Sequence, residues 1–461
     1  MAHLQLNKVP GNAWPGVPRG EISQLWAMVL ELERTQWLKP DALAEGQLSQ
    51  VRVLLEHCSR HVPYYRDTFK DAGIRSETIH TLDDFRRIPI LQRHTYQEQF
   101  ARFQATSLPA GTVQTAKLRT SGTSGMPIEV WQTNLVNLWW FAFHLRDFQW
   151  CDFDLQGSLA VIRSLGGSKS ERQRLLDGVT LPCWSQQLQS LVENGPAFAI
   201  DIHQDPRQQL EWLVRIRPNY LLSYPPNLEF LASLLGEKRT GLPGLRAIQS
   251  IGETLTGDAR ERIQTGFGVP VYNTYSCVEA GYLASPCPAG HGLHIHGENV
   301  LLEVVDEAGR PCQPGQTGRV ILTALHNFLT PFIRYEILDG ATLGPPVCAC
   351  GRGLPLLTQV EGKRRPQFRL AGGRRKDSGY LVRQLRKLGA YHQHQIVQKA
   401  IDHIEVRLIP GQGWTADHAG RIIRAVQEYF ETPIRIDIQT VDALETTPAG
   451  KFRDVIVDEA I

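Results

Sequence analysis

No stretch of this 461-residue chain approaches the roughly 20 consecutive apolar residues that a membrane helix requires. Its longest aromatic-rich run, Leu138-Trp139-Trp140-Phe141-Ala142-Phe143, is broken by His144 and Arg146. The N-terminal stretch, with Asn7, Pro10 and Gly11, lacks the basic-then-apolar pattern of a signal peptide, so a cytoplasmic location is expected. An excess of one charge is also missing. With 49 basic and 47 acidic residues the net charge is +2, too small a field to argue for nucleic acid as a partner. Neither an internal repeat nor a low-complexity tract occurs. A chain of this length with 42% hydrophobic residues can bury a large core and is expected to form two or more domains.

What the chain does have is the run Thr120-Ser121-Gly122-Thr123-Ser124-Gly125-Met126-Pro127. It offers many backbone and hydroxyl donors with little side-chain bulk, which suits phosphate. Residues 114–120 before it and 128–133 after it alternate as strands do, so the loop joins two strands. A Walker loop would need a helix after it and a Gly-Lys-Ser/Thr ending, and both are missing.

Farther along, Leu48, Val51, Leu55 and Cys58 share one face of a helix that ends near Pro63. Between 159 and 275, helical stretches such as 208–216 alternate with short apolar strands such as 220–223 and 247–251, the pattern of α/β layers. Residues 299–305 and 319–324, joined through Glu307-Ala308-Gly309-Arg310, read as a hairpin in a β-rich lobe. A basic stretch at 362–366 marks a hinge. Past it, strands at 395–401, 404–408 and 434–440 and an amphipathic helix at 416–430 suggest a small α+β domain. The expected fold is therefore α/β. A large N-terminal domain with several subdomains spans 1–361, and a small mobile α+β domain spans 362–461.

Several separated segments, taken in order, resemble the adenylate-forming superfamily in its phenylacetate-coenzyme A ligase-like branch. The run 120–125 is similar to that family's nucleotide-phosphate loop. Ser250-Ile251-Gly252-Glu253-Thr254 resembles its adenine-side loop, and Asn273-Thr274-Tyr275-Ser276-Cys277-Val278-Glu279 its core motif. Thr330-Pro331-Phe332-Ile333-Arg334-Tyr335 with Asp339 resembles the ribose segment, and Thr446-Thr447-Pro448-Ala449-Gly450-Lys451 the catalytic-lysine motif. Val62-Pro63-Tyr64-Tyr65-Arg66 and Pro89-Ile90-Leu91 are similar to the N-terminal region of this branch.

The resemblance implies ATP-dependent activation of a small carboxylic acid as an acyl-adenylate. Such chemistry must gather and neutralise phosphate oxygens while it holds the nucleophile in line. Thr120, Ser121, Thr123 and Ser124 are expected to donate hydroxyl bonds, while Gly122 and Gly125 let the backbone approach. Gly252, Glu253, Thr254, Asn273 and Ser276 would line the nucleotide, Tyr275 would stack on adenine and Asp339 would accept from the ribose. Glu279 would hold Mg2+, a hard cation that prefers oxygen ligands. Arg334 is expected to reach the nucleotide, and Lys451 to bring a positive charge to the carboxylate and α-phosphate.

The departures bear on the step after activation. Met126 stands where the family loop carries Lys, Ser276 and Val278 replace Gly and Thr of the core motif, and the hinge Gly362-Lys363-Arg364-Arg365-Pro366 has no acidic pivot. Three readings stay open: transfer of the acyl group to coenzyme A, transfer to an amine or a carrier-protein thiol, and a nucleotide-binding protein without catalysis. The basic residues from Lys363 to Lys376 are candidates for the phosphates of coenzyme A, with a solvated linker as the alternative. A membrane partner is not expected, and a homodimer is left open.

Cysteine supplies a second constellation. Cys287 and His291, with three residues between them, and Cys348-Ala349-Cys350 in a Pro/Gly-rich loop suit a structural Zn2+ site better than disulfides. His294 and His296 compete as the fourth ligand. Cys58, Cys151, Cys183, Cys277 and Cys312 read as small buried apolar residues.

Overall fold

The computed structural model describes residues 20–119, 128–165, 178–238, 241–363, 366–446 and 452–458. The phosphate-loop candidates Thr120, Ser121, Gly122, Thr123, Ser124 and Gly125, and the candidate Lys451, lie outside the described residues. The chain divides into two compact units. One comprises Met1–Gly157, Pro182–Pro196 and Tyr272–Lys363, the other Ser158–Leu181, Ala197–Val271 and Arg364–Ile461.

In the first unit, Pro40 opens a helix that runs to His61, with proline's missing N–H falling where no helical bond is needed. Val51, Leu54, Leu55 and Cys58 form its buried stripe, and Leu48 packs beside them. The next residues supply Tyr65 and Phe69, and this layer packs with Phe103, Phe332, Tyr335 and Leu357 in one core. A seven-stranded sheet runs in the order Val300–Val305, Thr317–Ala324, Tyr335–Leu343, Leu356–Lys363, Leu293–Ile295, Gly281–Pro286, Tyr275–Cys277. Its first pair is the expected hairpin, with Val300 opposite Ala324 and Val305 opposite Arg319. Gln114–Arg119 and Glu129–Thr133 pair antiparallel, so strands do flank the phosphate-loop segment.

The second unit contains a largely parallel sheet. Its strands lie in the order Val179–Leu181, Ala197–Asp201, Leu159–Arg163, Tyr220–Ser223, Ala247–Ser250, followed by the strand that begins at Val271. Val179–Leu181 runs antiparallel to Ala197–Asp201, while the three pairs from Ala197–Asp201 to Ala247–Ser250 are parallel. The helix Pro206–Ile216 starts at Asp205, whose carboxylate accepts the Arg207 N–H, and it buries Leu210, Trp212 and Leu213. A cap of this kind contributes about 1 kcal/mol. The C-terminal part of the unit has a four-stranded sheet ordered Arg435–Thr440, His403–Pro410, Tyr391–Ala400, Val455–Val457. Helices Gly379–Leu388 and Ala416–Phe430 cover its core of Leu381, Leu385, Ile396, Val406, Ile422 and Val426. Among the described residues, no helix is long and apolar enough to cross a membrane.

Candidate functional site

Tyr275, Glu279 and Asp339 are assembled in the first unit. Tyr275 is almost fully buried and donates its hydroxyl hydrogen to Asp339 Oδ2 at 2.8 Å. Burial, and then the Asp339 carboxylate, push the Tyr275 phenol well above its ordinary range, so it remains a donor at any physiological pH. Ser276 is exposed on the same short strand and Asn273 is half-buried just before it. Thr274 anchors the strand from the other side, its hydroxyl donating to Asp147 at 2.9 Å.

Glu279 is buried with a cation beside it. Arg93 Nη1 lies 3.7 Å from Glu279 Oε1 and donates to the Tyr335 hydroxyl at 3.2 Å. Arg93 is a site residue that sequence reading missed. It stands two positions beyond Pro89-Ile90-Leu91, and that segment places it: Leu91 N–H donates to the Arg334 carbonyl and Glu336 N–H donates to the Leu91 carbonyl. The signal was a lone arginine after an apolar tripeptide, which carries no motif of its own.

Arg334 does not meet the expectation of a nucleotide contact. Its Nε and Nη2 donate to the two oxygens of Glu303 at 2.9 and 3.2 Å, and Nη1 donates to the carbonyls of Ile88, at 2.6 Å, and Arg86. Arg334 and Glu303 are both buried. The guanidinium is thus committed to tying residues 86–88 to the strand Val300–Val305, a fork geometry that only arginine provides.

The second unit holds Gly252, Glu253 and Thr254, just after the strand Ala247–Ser250. Gly252 has φ +73°, a left-handed conformation that turns the chain sharply and favours glycine. Glu253 accepts the N–H of Phe452 at 3.2 Å, and Thr446 and Phe452 form an antiparallel bridge. The two ends of the segment containing Lys451 are therefore joined, and one of them is held on the candidate adenine loop.

The cysteine constellation comes together with a different histidine. Ligand atoms of Cys287, His294, Cys348 and Cys350 all lie within 4.8 Å of one another. His291 is exposed in the turn between the strands Gly281–Pro286 and Leu293–Ile295. The antiparallel register explains the correction: Ser285 faces His294 on one side and Leu356 faces it on the other, which puts His294 between the two thiol-bearing segments. His294 Nδ1 is 3.1 Å from the Leu354 carbonyl, which leaves Nε2 directed at Cys350 Sγ, 3.2 Å away. Burial lowers the imidazole pKa to about 4, keeping it neutral, as a ligand must be. Burial raises Cys348 to about 11. At Cys350 burial is outweighed by hydrogen bonds from Arg352 and the neighbouring thiols, and the net shift is downward. Tetrahedral Zn2+ with Zn–S near 2.3 Å requires sulfurs about 3.8 Å apart, and Cys287 and Cys348 stand at 3.9 Å. The donor set fits the ion. His296 is occupied elsewhere, bonded to Ser285 at 2.9 Å and to Arg146 at 3.3 Å.

The likenesses to known proteins agree with this arrangement. Over 334 residues, 70% of this chain and 70% of the relative, the sequence is 25% identical to a protein named phenylacetate-coenzyme A ligase from Thermus thermophilus. A protein of the same name from Pseudomonas putida is 22% identical over 66% of this chain and 67% of its own length. The fold matches a crystal structure of 2-hydroxyisobutyryl-CoA ligase in the postadenylation state, in complex with 2-HIB-AMP, with a TM-score of 0.72 at 19% identity over 93% of this chain and 92% of that one. Residues 377–458 match the family described as CapK C-terminal domain. In its ordered motifs and over about two thirds of its length the chain resembles proteins named phenylacetate-coenzyme A ligase, and its mixed α/β fold is that of a coenzyme A ligase structure.

Proposed function

We propose that this protein is an AMP-forming acid ligase that uses ATP to activate a carboxylic acid as its acyl-adenylate and then passes the acyl group to coenzyme A. The observation that carries the reading is the cluster of Tyr275, Asp339 and Glu279, in which a 2.8 Å hydrogen bond joins Tyr275 to Asp339 and Arg93 stands 3.7 Å from Glu279. Asp339 would accept from the ribose hydroxyls while Tyr275 fixes its second oxygen, a charge-assisted pairing. Glu279 would hold Mg2+, which neutralises phosphate charge when bound. Lys451, with Thr120, Ser121, Gly122, Thr123, Ser124 and Gly125, would complete the phosphate contacts.

The relatives named for phenylacetate make an aromatic acid the first class to test. Cys287, His294, Cys348 and Cys350 would hold a structural Zn2+, and residues 362–461 would move as a unit carrying Lys451. Release of pyrophosphate that depends on both ATP and an added acid tests the first step. Mass analysis of the product with coenzyme A, then with amines, tests the second. Pyrophosphate release that never rises above the protein-free rate with any acid of a broad panel would reject the ligase reading.

A further inference from the structure

The carboxyl edge of the parallel sheet in the second unit carries polar groups that the ligase reading leaves unused. From the strand Leu159–Arg163 the next parallel strand, Ala197–Asp201, lies on one side, and from Tyr220–Ser223 the next, Ala247–Ser250, lies on the other. The ends of Leu159–Arg163 and Tyr220–Ser223 therefore flank a point where the winding reverses, which is where open α/β sheets bind small molecules. Arg163 pairs in register with Asp201, and Val161 with Leu222, so extending the register by two residues sets Tyr224 beside Arg163. Asp201, Arg163 and Tyr224 form a row across three strands spaced about 4.8 Å apart.

At the Asp201 end of the row the hydrogen bonding is defined. The buried Asp201 carboxylate accepts the backbone N–H groups of Leu165, at 3.0 Å, and His203, at 2.9 Å, together with His203 Nδ1 at 2.7 Å. Because a carboxylate only accepts, Nδ1 must carry the proton and Nε2 of neutral His203 is an acceptor. The His203 ring makes no other hydrogen bond among the described residues, and its side chain is 29% exposed. Tyr224 directly follows the strand Tyr220–Ser223, and its phenol is pushed up by burial and drawn back by the Arg163 guanidinium. Arg163 is exposed at the strand end.

We propose that Arg163, His203 and Tyr224 form a subsite for the far end of the acid, and that this acid carries an oxygen substituent there, a hydroxyl or a second carboxylate. The proposal rests on the ligase reading. Gly252, Glu253 and Thr254 sit at the end of a strand two places, about 10 Å, from Arg163 along the same edge. That separation suits a small acid whose reacting carboxylate meets the nucleotide while its other end reaches the row. A hydroxyl would accept from Arg163 and donate to His203 Nε2, and a carboxylate would take the guanidinium fork. A bare phenyl or methyl end would cover Arg163 and His203 without satisfying either.

The test uses matched acids with ATP: phenylacetate against 4-hydroxyphenylacetate and 4-carboxyphenylacetate, and butyrate against 4-hydroxybutyrate and succinate. An oxygen-bearing member of at least one set is expected to exceed its unsubstituted partner by about tenfold or more in kcat/KM for pyrophosphate release. Arg163→Ala and His203→Ala should each move that ratio toward one. Preference for the unsubstituted acid in both sets, or a ratio unchanged by Arg163→Ala, overturns the subsite. If no acid releases pyrophosphate, the ligase reading has failed, and thermal shift decides the subsite separately. An oxygen-bearing acid must then stabilise the parent more than its partner and lose that margin in Arg163→Ala; equal shifts overturn it.

Discussion

Asp339 and Glu279 are carboxylates of one cluster held in different ways, so their losses should differ in kind. Asp339 accepts from the Tyr275 hydroxyl at 2.8 Å, and Asp339→Asn removes a charged acceptor whose hydrogen bonds are worth about 1.5–3 kcal/mol. The KM for ATP should rise about tenfold or more, with the Mg2+ dependence little changed; initial rates against ATP at saturating Mg2+ check this, and an unaltered KM rejects the ribose role. Glu279→Gln should instead displace the Mg2+ titration to higher concentration, because a neutral amide is a poor ligand for a hard cation. Overlapping titrations for Glu279→Gln and the parent would reject the metal role. Arg334 predicts a third behaviour. Its buried pair with Glu303 at 2.9 Å makes it a fold residue, and Arg334→Ala should cost about 3 kcal/mol of stability by leaving the buried Glu303 carboxylate with only the longer 3.6 Å contact to Arg86. Denaturant unfolding measures it, and a variant as stable as the parent that had lost ATP binding would restore the catalytic assignment. These three residues mark how far the sequence was legible. Tyr275, Glu279 and Asp339 were singled out because their motifs lie in a known order, and the structure sets Tyr275 and Asp339 in hydrogen-bond contact. Arg334 belongs to the same motif, yet nothing in the sequence says that Glu303, 31 residues earlier, claims its guanidinium. Arg93 was invisible because its partner is fixed by a backbone pairing of Leu91 with residues beyond position 330.

Among the elements, the strands and helices were more legible than their contacts. Helix 416–430 and strand 220–223 were expected at the bounds at which Ala416–Phe430 and Tyr220–Ser223 occur, because periodicity and flanking turns define both. The metal cluster shows the complementary failure. A Cys-to-His spacing read along the chain favours His291, whereas the hairpin folds back and brings His294 to the thiols. The cluster also has a structural context. Arg352, two residues after Cys350, sits between the rings of Trp37 and Trp150, at 4.7 and 4.8 Å, and donates to Gln36 at 2.7 Å. An ordered cysteine loop is thereby fastened to the end of the first long helical segment. Elemental analysis should find about one zinc per chain, and Cys348→Ser with Cys350→Ser should remove it and lower Tm. His294→Ala should also lose zinc, while His291→Ala should retain it. Loss on His291→Ala with retention on His294→Ala would reverse the assignment, and metal-free protein that keeps full stability after chelation would remove the site altogether.

For the whole molecule, the division at 361 and 362 expected along the chain differs from the grouping of contacts, which joins Arg364–Ile461 with Ser158–Leu181 and Ala197–Val271. The joining contacts are made by residues far apart in sequence: Ile409, Val441 and Leu444 pack on the core of the parallel sheet, Ser233 meets His392 at 2.7 Å, and Glu253 accepts the Phe452 N–H at 3.2 Å. No local pattern announces such pairs. The last of them bears on Lys451, because Phe452 is its immediate neighbour and is held on a candidate nucleotide loop. The main-chain anchor does not need the lysine side chain, so Lys451→Ala should leave Tm nearly unchanged. Adenylate formation should nevertheless fall by on the order of a hundredfold or more, the scale on which one electrostatic contact to the transition state is lost. Glu253→Ala should act differently: it removes the acceptor of the Phe452 N–H, and any slowing it causes should be accompanied by faster hydrogen exchange at that amide. Pyrophosphate release, thermal melts and exchange measured on both variants separate the two effects. Parent-rate adenylation by Lys451→Ala would show that the lysine is only a surface cation. Unchanged exchange at Phe452 in Glu253→Ala would show that the anchor is not what holds the segment.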